Sequence, residues 1–135
     1  MMLIRAKTGP SAIHGVGLFV KESVPKGTRV WEFTPGFDLE LTKDQVIRLS
    51  EAAREQFLNY AYISKETGNY ILCSDDARFF NHQKSPNVTC RIPSGTHIEN
   101  ALECFAIGDI AAGEEITTDY SEFDADPHDI LQFNT

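Results

Sequence analysis

A mostly β domain with one principal helix is what this sequence predicts, and three observations predict it. Short apolar segments alternate with Gly, Pro and Asn turns along most of the chain. One stretch alone carries helical spacing behind a capping signal. The length of 135 residues, with 41% hydrophobic and 24% charged residues, suits one core of ordinary globular composition and excludes both disorder and a fibrous repeat.

Taken in order, Met2 to Arg5, Gly17 to Val20 and Thr28 to Phe33 read as strands, separated by Gly9-Pro10, Gly15 and Pro25-Lys26-Gly27. From Thr42 the period changes. Thr42 and Gln45 form a capping box, and Val46, Leu49, Ala53 and Phe57 then recur at helical spacing. Phe57 to Ile63 either continues that helix or begins a strand, and as a strand it would put Tyr60 and Tyr62 on one face. Tyr70 to Cys73 follows the Gly68-Asn69 turn as a further strand. After the Asn81 to Asn87 loop, Val88 to Ile92, Ala101 to Ile107 and Glu115 to Thr118 read as strands, with turns at Pro93 to Gly95 and Ala111 to Gly113. Val24 to Val30 and Ile110 to Ile116 each hold a glycine midway between apolar ends, as a pseudo-repeat or as two ordinary tight turns.

Charge and cysteine content narrow the function. Twenty acidic against twelve basic residues give a net charge of −8 and a pI near 4.9, so direct nucleic-acid binding is not expected and basic partners fit better. No membrane span or secretory signal is visible. Cys73, Cys90 and Cys104 are odd in number and form no CxxC pair, which speaks against a disulfide scaffold or a cysteine-rich zinc module and for a reducing, intracellular setting. Gly15-Val16-Gly17 lacks the third glycine of a dinucleotide fingerprint. Cys73, His82, Cys90 and Cys104 are spaced as scattered core side chains are, so no metal is expected. Asp124, Asp126 and Asp129 lack the glycine and closing glutamate of a calcium loop. No GxSxG elbow or P-loop occurs.

Three clusters carry the functional signal: Ile13-His14-Gly15-Val16-Gly17-Leu18-Phe19, Arg78-Phe79-Phe80-Asn81-His82 through Pro86-Asn87, and Gly113-Glu114-Glu115-Ile116-Thr117-Thr118-Asp119-Tyr120. In order and spacing they resemble the SET-domain family of protein-lysine methyltransferases, in its compact viral and bacterial type without zinc-binding flanks. Glu32-Phe33 with Gly36 is a fourth, partial match, and the resemblance covers Leu3 to Tyr120.

The resemblance implies a β-clip-like fold of small curved sheets whose C-terminal segment threads beneath a preceding loop as a pseudoknot, so that Asn81-His82 meets Tyr120. It implies S-adenosylmethionine as cofactor. Cofactor-binding residues would be His14, Gly15, Val16, Gly17, Arg78, Phe80, Asn81 and His82, with the glycines admitting close backbone approach, the Asn81 amide on the amino-acid end, and His82 holding the loop. Arg78 contacts the cofactor or pairs with a nearby acid. Tyr120 would be the catalytic phenol, with Tyr60 and Tyr62 as further catalytic candidates. Tyr60, Tyr62, Tyr70, Thr118 and Phe123 are candidates for the substrate channel. A dry aromatic channel lowers the lysine pKa and can hold a methylated cation by cation–π attraction.

The sequence also departs from the family. Gln83-Lys84 replaces the usual serine-cysteine after the histidine, and Thr118 stands where an aromatic residue associated with methylation multiplicity is common. Residues 1–122 are expected to form the domain, and residues 123–135 a tail that closes the channel with Phe123 or Phe133. The expected activity is methyl transfer to a lysine of a basic protein or peptide. The alternative is an inactive SET-like module that binds basic peptides or the cofactor. A small β-rich ligand-binding domain outside the family is the third reading. Dimerisation is left open, because compact members that it resembles can dimerise.

Overall fold

The protein is described by a computed structural model covering residues 1–125. Ala6–Pro10 (β1) and Val16–Val20 (β2) form an antiparallel hairpin with Ala6 opposite Val20 and Pro10 opposite Val16. Gly15 supplies the left-handed residue of its turn at φ +47, a conformation that a Cβ disfavours. The predicted Met2 to Arg5 strand is absent. Met2 makes only an isolated bridge to Trp31, and pairing begins at Ala6 because β2, with Leu18 and Val20 fully buried, carries the apolar face while β1 is its largely exposed partner.

Arg29–Glu32 (β3) opens the central sheet. Leu39–Leu41 (β4) follows; three residues give too little alternation to be recognised in the sequence. The single principal helix is two, Lys43–Ile47 (α1) and Glu51–Tyr60 (α2). Thr42 and Gln45 do form the capping box, but Ser50 starts a second helix by accepting from the Ala53 amide at 3.2 Å. A side-chain oxygen competing for backbone donors breaks the helix there, and the four-residue step from Leu49 to Ala53 hides the break. Tyr60 ends α2 and Tyr62–Ile63 is a strand (β5), so the two tyrosines do not share a strand face. Tyr70–Leu72 (β6) lies between β4 and β5.

Asn81–His82 (β7), Val88–Arg91 (β8), Glu103–Ala106 (β9) and Thr117–Thr118 (β10) complete the strands. β9 sits between β3 and β8, with both pairings antiparallel. β10 pairs with β7 in parallel, Thr117 opposite Asn81 and Thr118 opposite His82.

That parallel pair comes from threading. The Ile116 amide donates to Leu18 O at 2.8 Å and the Val20 amide to Glu114 O at 3.0 Å, which places the closing segment along β2. Asn87 clamps its other side: its Nδ2 donates to Glu115 O at 2.8 Å, and its Oδ1 accepts from the Thr117 amide at 2.9 Å. The core centres on this crossing, where Leu18, Val20, Val30, Val88, Ile110 and Ile116 are sealed from solvent. A smaller cluster of Val46, Phe57 and Tyr70 seats the helices against the β4–β6–β5 sheet. The two glycine-centred segments meet in space: Val24 and Ile110 exchange hydrogen bonds of 2.8 Å, and Gly27 and Gly113 adopt φ of +84 and +89.

The cysteine expectation is corrected in one respect. Cys90 and Cys104 stand opposite each other on β8 and β9, 4.0 Å apart at Cα, and form a disulfide, whereas Cys73 is a buried free thiol. Sequence spacing cannot show that two distant cysteines fall in register. Among the described residues no helix is long and apolar enough to cross a membrane, and no cluster of His, Cys, Asp and Glu that could hold a metal is present.

Candidate active site

Two regions meet where the closing segment crosses β7. The first is polar. The Asn81 side chain is buried, and its Nδ2 lies within hydrogen-bond distance of Ser11 Oγ (3.1 Å), His14 O (3.1 Å), Val16 O (3.2 Å) and Glu115 Oε2 (3.0 Å). Ser11 Oγ donates to the Glu115 carboxylate, 2.7 and 2.9 Å from its two oxygens. Gly17 lies against the same carboxylate. A Cβ built there would come within 2.7 Å of Glu115 Cδ, so only glycine leaves room for it.

His82 extends this region towards the second. Its Nδ1 accepts from the Tyr120 amide at 3.1 Å, which requires that nitrogen to carry no proton, and Asp119 Oδ1 is 3.8 Å away. Asp119 caps the short turn that holds Tyr120. Hydrogen bonds from the Ser121 hydroxyl and then the Ser121 amide hold its carboxyl below the usual carboxylate range.

The second region is a cavity of about 170 Å³, many times the space that one water needs. Tyr60, Tyr62, Tyr70, Tyr120 and Phe123 lie on its wall, with Phe80, Arg78, Asp124 and all three cysteines. The Tyr120 hydroxyl donates to Phe80 O. Burial, with Asp124 nearby adding to it, pushes the Tyr120 pKa up to about 12. Burial also raises the Tyr62 phenol well above its ordinary value, with Cys73 and Asp38 adding to the shift. Tyr62 meets Phe123 edge-on at 5.2 Å, and Phe123 meets Tyr120 at 5.9 Å, so the three rings form one aromatic corner. The Tyr62 hydroxyl and the Trp31 Nε1, both on the cavity wall, are buried without a hydrogen-bond partner among the described residues.

The predicted residues therefore divide. Gly17, Asn81 and the backbone carbonyls of His14 and Val16 gather in the polar region, with Gly15 in the adjoining turn. Tyr60, Tyr62, Tyr70, Tyr120 and Phe123 gather on the cavity, and Phe80 and His82 link the two through Tyr120. Arg78 is on the cavity wall, its Nε donating to Asp75 O at 3.4 Å, and is not among the groups around Asn81. Thr118 does not line the cavity. Pairing with His82 takes it fully below the surface. The tail up to Ala125 returns to β5, where the Ala125 amide donates to Ile63 O at 2.9 Å and Asp124 accepts from the Ile63 amide at 3.1 Å. Phe133 lies outside the described residues.

Three participants were not assigned a role from the sequence. Ser11 gives no signal at all, because its partner is 104 positions away. Glu115 and Asn87 stand inside recognisable clusters, yet only coordinates show that one carboxylate bears on Gly17 and that one amide clamps the closing strand.

Comparison with known proteins agrees with this geometry. Residues 15–121 match the SET domain. Human histone-lysine N-methyltransferase 2B is 33% identical over 124 residues, covering 82% of this chain and 4% of that protein. The H3 lysine-4 specific histone-lysine N-methyltransferase of Chaetomium globosum is 30% identical over 121 residues, covering 84% and 11%. This chain thus spans a small fraction of the length of these relatives. Among solved structures, the Chaetomium thermophilum Polycomb Repressive Complex 2, in an autoinhibited conformation bound to S-adenosylmethionine, matches with a TM-score of 0.67 at 23% identity, over 97% of this chain and 17% of that one, which bears on the fold alone. From the matched span of residues and the threaded strand that joins its two regions, the chain belongs to the SET-domain family.

Proposed function

We propose that the protein is an S-adenosylmethionine-dependent protein-lysine N-methyltransferase. One observation carries this reading: the Tyr120 hydroxyl spends its proton on Phe80 O, so the phenol oxygen keeps lone pairs for an electron-poor group while its ring stays on the cavity wall. Weak C–H···O contacts of about 0.5–1 kcal/mol each suit a methyl group that carries partial positive charge.

The residues fit the cofactor. The region around Asn81 is rich in acceptors and suits the ammonium of an amino-acid end, and Gly15, with open space where a Cβ would stand, leaves the backbone free for close approach, while Gly17 leaves room for the Glu115 carboxylate. S-adenosylmethionine, when bound, supplies an electrophilic methyl on a sulfonium.

The rest falls to the protein. The aromatic corner of Tyr62, Tyr120 and Phe123 excludes water and disfavours an ammonium, which lowers the pKa of a lysine side chain from about 10.4. Asp124 on the same wall and the net charge of −8 attract a cationic substrate in the first place. Alignment is the main demand of such a displacement, and two hydrogen bonds fix Tyr120: its hydroxyl donates to Phe80 O and its backbone amide to His82 Nδ1. The substrate class is a basic, lysine-bearing protein segment. The cysteine spacing favours an intracellular setting, and the Cys90–Cys104 bridge counts against it.

The test is transfer of radiolabelled methyl from S-adenosylmethionine to a panel of lysine-rich proteins, with lysine-free proteins as controls. Label on lysine supports the reading. Cofactor binding with no transfer to any member would instead favour the inactive module, and absence of binding would reject both.

A further inference from the structure

The acceptors within reach of the Asn81 amide outnumber the hydrogens that it carries. Nδ2 carries two hydrogens, yet Ser11 Oγ, His14 O, Val16 O and Glu115 Oε2 all lie 3.0 to 3.2 Å from it. At most two can be well satisfied at once. Glu115 is the charged member. Its carboxylate is held by the Ser11 hydroxyl and the Asn81 amide, and among the described residues no lysine, arginine or histidine pairs with it. A part-buried carboxylate with only neutral partners, beside two backbone carbonyls that share one amide, makes a region suited to a cation with several hydrogens.

The region is also shaped for that carboxylate. Glu115 bridges to Phe19 across β2, and its oxygens reach 2.8 and 3.0 Å from the position that a Cβ on Gly17 would take. Ser11 Oγ in turn accepts from the Ile13 amide at 2.9 Å, so the hydroxyl that holds Glu115 is fixed by the turn leading into β2. The charge is therefore placed by the same backbone that would have to receive the cofactor.

We propose that Glu115, seated by Ser11 and admitted by Gly17, is a cofactor-binding residue that supplies the counter-charge to the α-ammonium of S-adenosylmethionine. The inference rests on the methyltransferase reading and deepens it. Asn81 then acts as the hinge of the site: its amide holds Glu115 and the carbonyls in place, and the ammonium takes up the acceptors that Asn81 cannot satisfy.

Calorimetric binding separates this role from a structural one. The probes are S-adenosylhomocysteine, its deaminated analogue, and 5′-methylthioadenosine, which keeps the adenosine and the sulfur but has no amino-acid end. Glu115→Gln, which keeps shape and removes charge, is expected to weaken S-adenosylhomocysteine about ten-fold and to leave 5′-methylthioadenosine within about two-fold. Removing the amino group from the ligand should cost the wild-type protein about ten-fold and the variant little, because the two losses are the same interaction. Equal weakening of all three ligands would make Glu115 a merely structural residue and overturn the inference, as would unchanged binding of S-adenosylhomocysteine. If Glu115→Gln does not fold, Ser11→Ala and the deaminated ligand on the wild-type protein decide: an amino group worth less than about two-fold to the wild type rejects the proposal. Failure of the wild type to bind S-adenosylhomocysteine at all would reject the methyltransferase reading itself, and this inference with it.

Discussion

The two halves of the site solve opposite problems with side chains a few residues apart. Around Asn81 the protein gathers carbonyls, a hydroxyl and a carboxylate, and spends almost no aromatic surface. Around Tyr120 it gathers rings and leaves two polar groups, Tyr62 OH and Trp31 Nε1, without partners among the described residues. One half is built to hold charge, and the other to make charge costly. They are joined by a short backbone crossing, where β10 passes β7 and His82 accepts a hydrogen bond from the Tyr120 amide. The difference teaches that the sheets here matter chiefly as a frame that brings a polar surface and a dry one edge to edge.

Perturbations should therefore fall into distinct classes. The largest effect belongs to the crossing. Ile116 is fully buried under it, and Ile116→Ala should destabilise the protein by about 2–5 kcal/mol in chemical denaturation and degrade cofactor binding and turnover together. Tyr120→Phe should act on one half only. Turnover is expected to fall about 10²-fold through lost alignment while S-adenosylhomocysteine affinity stays within about two-fold; parallel losses would erase the distinction between the halves. Gly17→Ala is the converse test. Its Cβ would displace the Glu115 carboxylate, and the expected result is roughly ten-fold weaker cofactor binding with little change in the rate at saturation.

Alkaline pH probes the dry half alone. The unfolded Tyr120 phenol titrates near 10 and the folded one near 12, so the unfolded chain releases its proton first. The stability that this tyrosine contributes is whole below pH 10 and is lost as pH rises through about 12. Tyr62 and Cys73, also raised by burial, act in the same direction. Denaturation midpoints followed above pH 9 should fall steeply, and Tyr120→Phe should make the slope shallower. The smallest effect is expected at Tyr62. Removing a buried hydroxyl that lacks a partner among the described residues, Tyr62→Phe should stabilise the protein by about 1 kcal/mol and raise KM for the lysine substrate.

What the sequence revealed and what it hid follow the same physics. The β2 strand, the Thr42 capping box and the strands at Val88 and Glu103 were legible because local periodicity and caps set them. The clusters around Asn81 and Tyr120 were legible by resemblance, and their meeting was expected from it. The split of the helix at Ser50 was hidden, since one side-chain hydrogen bond reset the backbone without disturbing the apolar spacing. The β4 strand was hidden by its shortness. The Ser11–Glu115 contact and the Cys90–Cys104 bridge were hidden because they depend on register between distant segments, which no local pattern encodes. That Thr118 is buried off the cavity was hidden for a related reason: its depth is set by pairing with His82, and its position before Asp119-Tyr120 says nothing of that.

The most direct test of the joined halves is a crystal structure of the protein with S-adenosylhomocysteine. The amino-acid end should lie among Asn81, Glu115 and the His14 and Val16 carbonyls, with the sulfur facing the cavity that Tyr120 lines. A ligand bound elsewhere, or a wall of side chains between its sulfur and the Tyr120 hydroxyl, would contradict the account.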